Sequence, residues 1–243
     1  MRTKLLTVLA AFALPMAAQA ATFDAAADFS SYGAPGNPWT YGYGVGGSSF
    51  TAFSSTAASC ATDLPCYTSG DFRAVGKNVS AGTITPFGTT AIPNDALWIH
   101  PGNGAGASNS IVQFTAATAG VYSFSGDFTR LSTDNSGDGV FVSIFSSASV
   151  TPLFSDLTSL TTGLAYGLST AFSGSTTLAA GETLSFVVSN GANDAYGWDS
   201  TGLRASVSGP GAVPEVATWA MMLVGFGAIG MATRTSRRRV LAA

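Results

Sequence analysis

Charge is scarce in this sequence. Asp, Glu, Lys and Arg make up 9% of its 243 residues, against about a quarter of an average soluble domain. Six of the ten basic residues lie at the two ends, so residues 21–213 hold twelve acidic and four basic side chains, a net charge of −8. Binding to nucleic acid depends on basic groups that neutralise phosphates. The composition therefore argues against nucleic acid as a partner.

Histidine and cysteine are nearly absent, which limits metal and acid–base chemistry. The chain has one histidine, His100, and two cysteines, Cys60 and Cys66. A tetrahedral zinc site needs four such ligands. A Ser-His-Asp triad would have to use His100, and no G-x-S-x-G turn accompanies it. We expect no metal, no cofactor and no enzymatic activity; a paired-carboxylate glycoside hydrolase is the less favoured alternative.

Helical patterns are also absent from the middle of the chain. Short runs of Val, Ile, Phe, Tyr and Thr alternate there with Gly, Asn, Asp and Ser, which is the pattern of strands and turns. We predict strands at 96–100, 110–115, 120–130, 139–146, 168–173, 183–189 and 203–208. The expected fold is all-β, an antiparallel β-sandwich of the jelly-roll kind over residues 21–212, with 21–95 its less regular part. In "GVYSFSGDFTRL" the apolar phase shifts after Phe124, which predicts a bulge near Gly126 and Asp127.

The first twenty residues have the layout of a secretory signal peptide. Arg2 and Lys4 precede an apolar run over 5–14, and an A-x-A site ends at Ala20. We expect export through the Sec translocon and cleavage by signal peptidase between Ala20 and Ala21. The mature chain would then begin at Ala21.

The last thirty residues predict a membrane segment. Residues 216–232 carry no charge, and at about 1.5 Å per helical residue they span roughly 25 Å, close to the short limit for a bilayer core of about 30 Å. We predict a transmembrane helix at about 216–233. Four arginines follow it, which by the positive-inside rule keeps the C-terminus in the cytoplasm and the acidic body outside. The G-x-G-x-x-G spacing at 225–230 lacks the acidic residue that a dinucleotide site needs, and small residues suit close packing of membrane helices.

Residues 213–240 resemble the PEP-CTERM protein-sorting signal in its Trp-Ala-Met-Met variant. The residues that carry the resemblance are Pro214, Glu215, Trp219, Gly225, Gly227, Gly230, Arg237, Arg238 and Arg239. It implies an intermediate held in the inner membrane by the C-terminal helix, processing by an exosortase, a membrane-embedded cysteine protease, and a final place at the cell surface or outside the cell. Val216 stands where the family has a second proline. Because proline fixes φ and removes a donor, its loss leaves slower or absent processing as the alternative. We still expect recognition, because Pro214, Glu215, the aromatic residue, the small-residue helix and the basic tail are all present in order.

A second resemblance, over residues 97–208, is to the jelly rolls of carbohydrate-binding modules. It rests on "ALWIHPG", "GVYSFSGDF" and "TTLAAGETLSFVVSNGANDAYGWDSTGLRASVS". Aromatic rings stack on the C–H faces of sugars, so the candidate glycan-binding residues are Tyr196, Trp198, Trp98 and Trp39, with Tyr41, Tyr43 and His100 near them in sequence. The alternative for each ring is a place in the core.

Sorting systems of the PEP-CTERM kind accompany exopolysaccharide production, so this resemblance implies an exported surface or biofilm-matrix protein that binds exopolysaccharide. A structural or adhesive surface protein without a small-ligand site is the alternative.

Two loops have a local interpretation. In an oxidising compartment Cys60 and Cys66 can form a disulfide, worth about 2 kcal/mol for so short a loop. "DNSGDG" at 134–139 fits a hairpin turn better than a calcium loop, because the twelfth position is Phe145 and not glutamate. A calcium site assembled from Asp194 and Asp199 stays open.

Overall fold

The computed structural model describes residues 20–29, 37–45, 48–56, 59–103, 109–134, 139–156, 166–191, 196–211, 224–227 and 229. The predicted signal peptide before Ala20 lies outside these residues. So do the following residues of the predicted sorting motif: Pro214, Glu215, Trp219, Gly230, Arg237, Arg238 and Arg239. The strands all belong to one compact unit, residues 20–211.

The described residues form fourteen strands. These are β1 (Ala20–Asp24), β2 (Trp39–Gly44), β3 (Thr51–Ala52), β4 (Ser55–Thr56), β5 (Cys66–Ser69), β6 (Arg73–Lys77), β7 (Leu97–His100), β8 (Asn109–Thr115), β9 (Gly120–Arg130), β10 (Val140–Ser146), β11 (Phe154–Asp156), β12 (Ser169–Leu178), β13 (Thr183–Asn190) and β14 (Thr201–Pro210). Each of the seven predicted strands is present, and β12 runs five residues beyond its prediction. The six strands before residue 96 and β11 were not predicted.

The strands form two sheets, which confirms the all-β antiparallel sandwich. The large sheet has the order β12-β9-β14-β7-β6-β5-β4, and β1 also pairs with β14. The small sheet has the order β11-β10-β13-β8-β2-β3. All pairings between described strands are antiparallel. From β7 to β10 successive strands alternate between the sheets, and they do so again from β11 to β14.

The main core lies between the sheets and follows the two-residue alternation of the strands. On β9 the inward positions include Tyr122, Phe124 and Phe128, which are all buried, while Ser123 and Ser125 face outward. Opposite them, Phe114 on β8 and Phe186 on β13 are fully buried. The burial of these rings supplies most of the hydrophobic driving force that holds the sheets together.

The predicted bulge in β9 is wrong. The register of β9 is unbroken with β12 and with β14, so the inward phase continues past Phe124 to Phe128. Gly126 takes the inward position between them because the ring of Phe172 fills the place of a side chain. A Cβ on Gly126 would lie 2.8 Å from that ring and would also clash with the backbone of Arg204. The apolar pattern of the sequence therefore changes at Gly126 because glycine, and not an apolar residue, occupies this inward position and leaves space for the ring of Phe172.

A second, smaller hydrophobic cluster underlies the β5–β7 part of the large sheet. Its buried members are Leu64, Cys66, Ala74, Ile92, Trp98 and Leu131. Cys60 and Cys66 are bonded to each other, with their Cα atoms 5.8 Å apart. The disulfide ties the loop before β5 to this cluster.

Near the C-terminus, residues 224–227 and 229 are helical, and the side chains of Val224, Phe226 and Ile229 are exposed. Within the described part of the chain, no helix combines the length and the apolar character that crossing a bilayer requires. The rest of the segment predicted at 216–233 lies outside the described residues.

Candidate functional site: an aromatic cleft

A cleft of about 260 Å³ opens over the second hydrophobic cluster. Its described lining comprises Cys60, Thr68, Phe72, Ala74, Phe87, Trp98, His100 and Tyr196. Strands β5, β6 and β7 supply Thr68, Ala74, Trp98 and His100, and the loops around these strands supply the rest. The large sheet thus provides the floor, and aromatic side chains from three separate loops provide the walls.

The exposed ring of Phe72 is stacked on the half-buried ring of Tyr196 in the lining of the cleft. Phe72 lies in the β5–β6 turn, and Tyr196 precedes β14. Their ring centroids lie 4.5 Å apart with an interplanar angle of 13°. Phe72 is 62% exposed, so an apolar surface of unusual size stays in contact with solvent. Stacking of this kind fixes the orientation of both rings before any ligand arrives.

The aromatic series continues from this pair into the protein. The ring of His100 meets Tyr196 edge to face at 5.9 Å, and Trp98 lies 5.9 Å from His100. Phe87 closes the far side, 5.3 Å from Trp98. The indole Nε1 of Trp98 donates to Ser200 Oγ at 3.0 Å. Each ring is therefore held by a neighbour, and the cleft is formed in advance.

Two aromatic residues of this region have left-handed backbone conformations. Phe72 has φ 72° and Trp198 has φ 65°. For a residue with a Cβ this conformation costs about 1–2 kcal/mol, and bulky residues rarely adopt it. Both side chains are exposed, with 43% of Trp198 accessible. Backbone strain of this kind concentrates at binding and catalytic sites.

His100 supports the stacked pair and is itself uncharged. Its Nδ1 lies 2.8 Å from the carbonyl oxygen of Pro101, and the ring also hydrogen-bonds the backbone of Phe72. Burial lowers the pKa of His100 below its usual 6.5, and the two backbone hydrogen bonds only partly oppose this. His100 therefore stays neutral at pH 7 while it contacts both Phe72 and Tyr196.

The charges next to the cleft are paired. Arg73 Nε donates to Asp71 at 2.6 Å, and its guanidinium lies 3.9 Å from the ring centroid of Tyr43. Among the described residues that line the cleft itself, none is charged at neutral pH. The site is suited to a ligand that is neutral and has at least one apolar face.

The structure divides the predicted glycan-binding residues into two groups. Tyr196 lines the cleft, Trp98 forms part of its floor with 4% exposure, and Trp198 is exposed in the same turn as Tyr196. Trp39 instead takes the alternative place in the core, 3% exposed and packed on Phe114. Unlike Trp98, Trp39 is not part of the described lining of the cleft.

Two aromatic residues of the cleft were missed, Phe72 and Phe87. The signal for Phe72 was an apolar residue in the turn "SGDF", where polar residues are the norm. For calcium, Asp194 and residues 135–138 lie outside the described residues, and Asp199 is buried. No three His, Cys, Asp or Glu side chains in the described part of the chain lie together as a metal site requires.

Comparison with known proteins gives weak likenesses. No family model matches the chain, and no curated protein matches it. Among solved structures, CBM51 from Clostridium perfringens GH95 in complex with methyl-galactose is 15% identical, with a TM-score of 0.35, over 57% of this chain and 90% of the other. The K2 cleaved adhesin domain of Lys-gingipain is 12% identical, with a TM-score of 0.34, over 71% and 98%. The cyclase Fisc from Fischerella sp. TAU is 9% identical, with a TM-score of 0.34, over 72% and 86%. At such TM-scores these likenesses carry no argument about this chain.

Proposed function

We propose that the sandwich of residues 20–211 binds a neutral extracellular polysaccharide through the aromatic cleft. The observation that carries the proposal is the exposed ring of Phe72, stacked on the half-buried Tyr196 in the cleft although Phe72 has an unfavourable backbone conformation. Folding alone gives no reason to keep a ring of this size in water at such a cost. A ligand with an apolar face does.

The chemistry of a sugar matches the lining. A pyranose ring has C–H faces that pack on aromatic rings and hydroxyl groups at its edge. The described lining offers rings on several sides, and it has few polar groups, among them the hydroxyls of Thr68 and Tyr196. At about 260 Å³ the cleft is slightly smaller than the roughly 300–1,000 Å³ of pockets that enclose drug-sized ligands. It therefore fits one sugar ring of a chain and leaves the neighbouring rings outside.

The electrostatics favour a neutral glycan over an acidic one. Residues 21–213 carry a net charge of −8, which repels uronic-acid and sulfated polymers at low ionic strength. The paired Arg73 and the neutral His100 do not offset this charge inside the cleft. The role proposed is binding, with no catalytic step.

The proposal includes export and sorting. The N-terminal residues have the order of a signal peptide and the C-terminal residues resemble a PEP-CTERM signal, so the chain is exported, held in the inner membrane with its C-terminus inside, and passed to an exosortase. The acidic body on one side of the predicted helix and the arginines on the other support this orientation. Its final place is the cell surface or the polysaccharide matrix.

A glycan array with the purified full-length protein tests the binding proposal. We expect dose-dependent binding to neutral glycans, and we expect Tyr196→Ala and Trp198→Ala each to weaken it at least tenfold. Tyr166→Ala is the matched control, because Tyr166 is a 49% exposed aromatic residue outside the cleft lining. Binding that survives both Tyr196→Ala and Trp198→Ala, or a wild-type protein silent on every glycan, would contradict the proposal and favour a structural or adhesive role.

Fractionation of cells with and without the exosortase tests the sorting proposal. We expect a shorter form at the surface or in the medium of wild-type cells, and full-length protein in the membrane of cells that lack the protease. Identical full-length material in both would show that Pro-Glu-Val is not processed.

A further inference from the structure

A second uncharged depression lies on the outer face of the small sheet. We call it the sheet groove; it has a volume of about 270 Å³ and its described lining includes Phe50, Gln113, Phe145, Ser147, Thr183 and Ser185. It shares no lining residue with the aromatic cleft. Two aromatic rings and a row of hydroxyl and amide groups surround it.

The floor of the sheet groove follows a row of side chains on β8, β13 and β10, which Thr40 on β2 continues beyond the described lining. Thr40 on β2 pairs with Gln113 on β8, Gln113 with Ser185 on β13, and Ser185 with Phe145 on β10. Residues in such a row point to the same face of the sheet. Gln113 Nε2 donates to Ser185 Oγ at 3.1 Å. A glutamine amide also has a second N–H and a carbonyl oxygen, and Gln113 belongs to the described lining of the groove.

Phe50 forms one wall because a glycine lies beneath it. The ring packs against Gly42 of β2, where a Cβ would lie 2.7 Å from two ring carbons. The segment that leads to it is held by Ser49, whose Oγ accepts from the Val45 amide at 2.9 Å. Any side chain at position 42 would push Phe50 away from the sheet. The wall is therefore built into the fold.

The opposite wall follows the end of β10. Ser147 Oγ accepts from the Thr183 amide at 2.9 Å, which ties the turn after β10 to the start of β13. Phe145 ends the floor row on this side. The groove thus runs across the strands from one phenyl ring to the other, a distance of roughly 14 Å for four strands spaced about 4.8 Å apart.

We propose that the sheet groove is a second binding site for a neutral polysaccharide. The inference rests on the proposed function and adds a separate surface to it. Its described lining has no charge, as a neutral polymer requires. A peptide is a poorer fit, because peptides that recognise sheets add to an edge, whereas β8 and β13 are paired on both sides. Two sites on one chain raise its avidity for a polymer that reaches both.

Affinity electrophoresis of the full-length protein in gels containing β-glucan, galactan or dextran tests the inference. Four proteins are compared: the wild type, a cleft variant (Phe72→Ala with Tyr196→Ala), a groove variant (Phe50→Ala with Gln113→Ala) and their combination. Thr22→Ala, an exposed residue of the large sheet, is the control, and an unchanged thermal midpoint confirms folding. Gln113→Glu is a second groove variant that keeps the shape of the side chain.

We expect retardation of the wild type on at least one polymer, a weakening of about tenfold in each double variant, and loss in the combined variant. If the groove variants are retarded as strongly as the wild type and the cleft variant is not retarded, the second site is overturned and the proposed function stands. If the cleft variant is retarded as strongly as the wild type, the proposed function is overturned instead. A wild type that no polymer retards counts against both.

Discussion

The two hydrophobic clusters of the sandwich are built in different ways. The main core joins two sheets by regular alternation, and its largest members, such as Phe114 and Phe186, are fully buried. The smaller cluster lies under the aromatic cleft and contains Cys66 of the disulfide, and Phe72, in a left-handed conformation, lines the cleft above it. In the first region the burial of apolar side chains stabilises the fold. In the second, an exposed ring and a strained backbone lower the stability of the fold.

This difference shows where to look for function in a chain of low charge. Exposed aromatic residues are unremarkable one at a time. Here the exposed aromatic residues occur together with a strained backbone at Phe72 and with the Cys60–Cys66 disulfide, and all three features lie at the aromatic cleft. The contrast predicts that substitutions in the main core change stability far more than binding, and that substitutions around the cleft do the reverse.

The largest effect is expected in the main core. Phe114→Ala removes a ring that contacts Phe23, Trp39 and Tyr122, and truncation of a buried Phe costs about 3–5 kcal/mol. Urea denaturation should show this loss of unfolding free energy, while glycan affinity of the folded fraction stays at the wild-type level. A loss below about 1 kcal/mol would mean that the core is not close-packed.

The disulfide comes next. Cys60→Ala with Cys66→Ala should lower the unfolding free energy by about 2 kcal/mol and should also weaken glycan binding, because Cys60 lines the cleft. A reducing agent provides the control: it should lower the stability of the wild type by a similar amount and leave the variant unchanged. Wild-type glycan affinity in the variant would show that the disulfide does not contribute to binding at the cleft.

His100 should make stability depend on pH. Burial lowers its pKa below 6.5, so at mildly acidic pH the unfolded chain binds a proton that the folded protein does not. Stability is therefore complete above pH 6.5 and falls as the pH decreases towards the folded pKa, by at most about 1.4 kcal/mol per pH unit. His100→Gln should remove this dependence in unfolding curves between pH 7.5 and 5.5. Equal slopes for both proteins would contradict the burial of the neutral ring.

The smallest effect concerns the strained backbone. Trp198→Gly should be about 1 kcal/mol more stable than Trp198→Ala, since glycine accepts φ 65° without a steric cost. Both variants lose the ring, so they should bind glycan equally poorly. Thermal unfolding measures the difference, and a glycine variant less stable than the alanine variant would exclude strain at this position.

The part of the fold that could be predicted is the part built by alternation. In β8, the buried residues Ser110, Val112 and Phe114 alternate with their neighbours, though Ile111 is buried as well, and that alternation is visible in the sequence. Strands β3 and β4 have two residues each, too few for any period to be seen. Their existence depends on the partner strands, which the sequence does not reveal.

The site was predictable only in part, because it is assembled by topology. Tyr196 and Trp198 were found from the polar loop around them. Their neighbours Phe72 and Phe87 are more than a hundred residues away in sequence, and only the order of strands in the large sheet brings them together. Trp39 and Trp198 have similar polar and glycine neighbours, yet one is covered by the opposite sheet and the other is not. Local sequence does not contain that difference.

The central place of β14 has a mechanical consequence. Tyr196 lies shortly before β14, and the chain leaves the sandwich just after Pro210. A load between a glycan held in the cleft and an attachment at the C-terminal end would therefore run lengthwise along β14. Because β9 flanks this strand on one side and β7 and β1 flank it on the other, such a pull would strain many hydrogen bonds at once instead of unzipping them in turn, and the domain would resist tearing where a tether needs its strength.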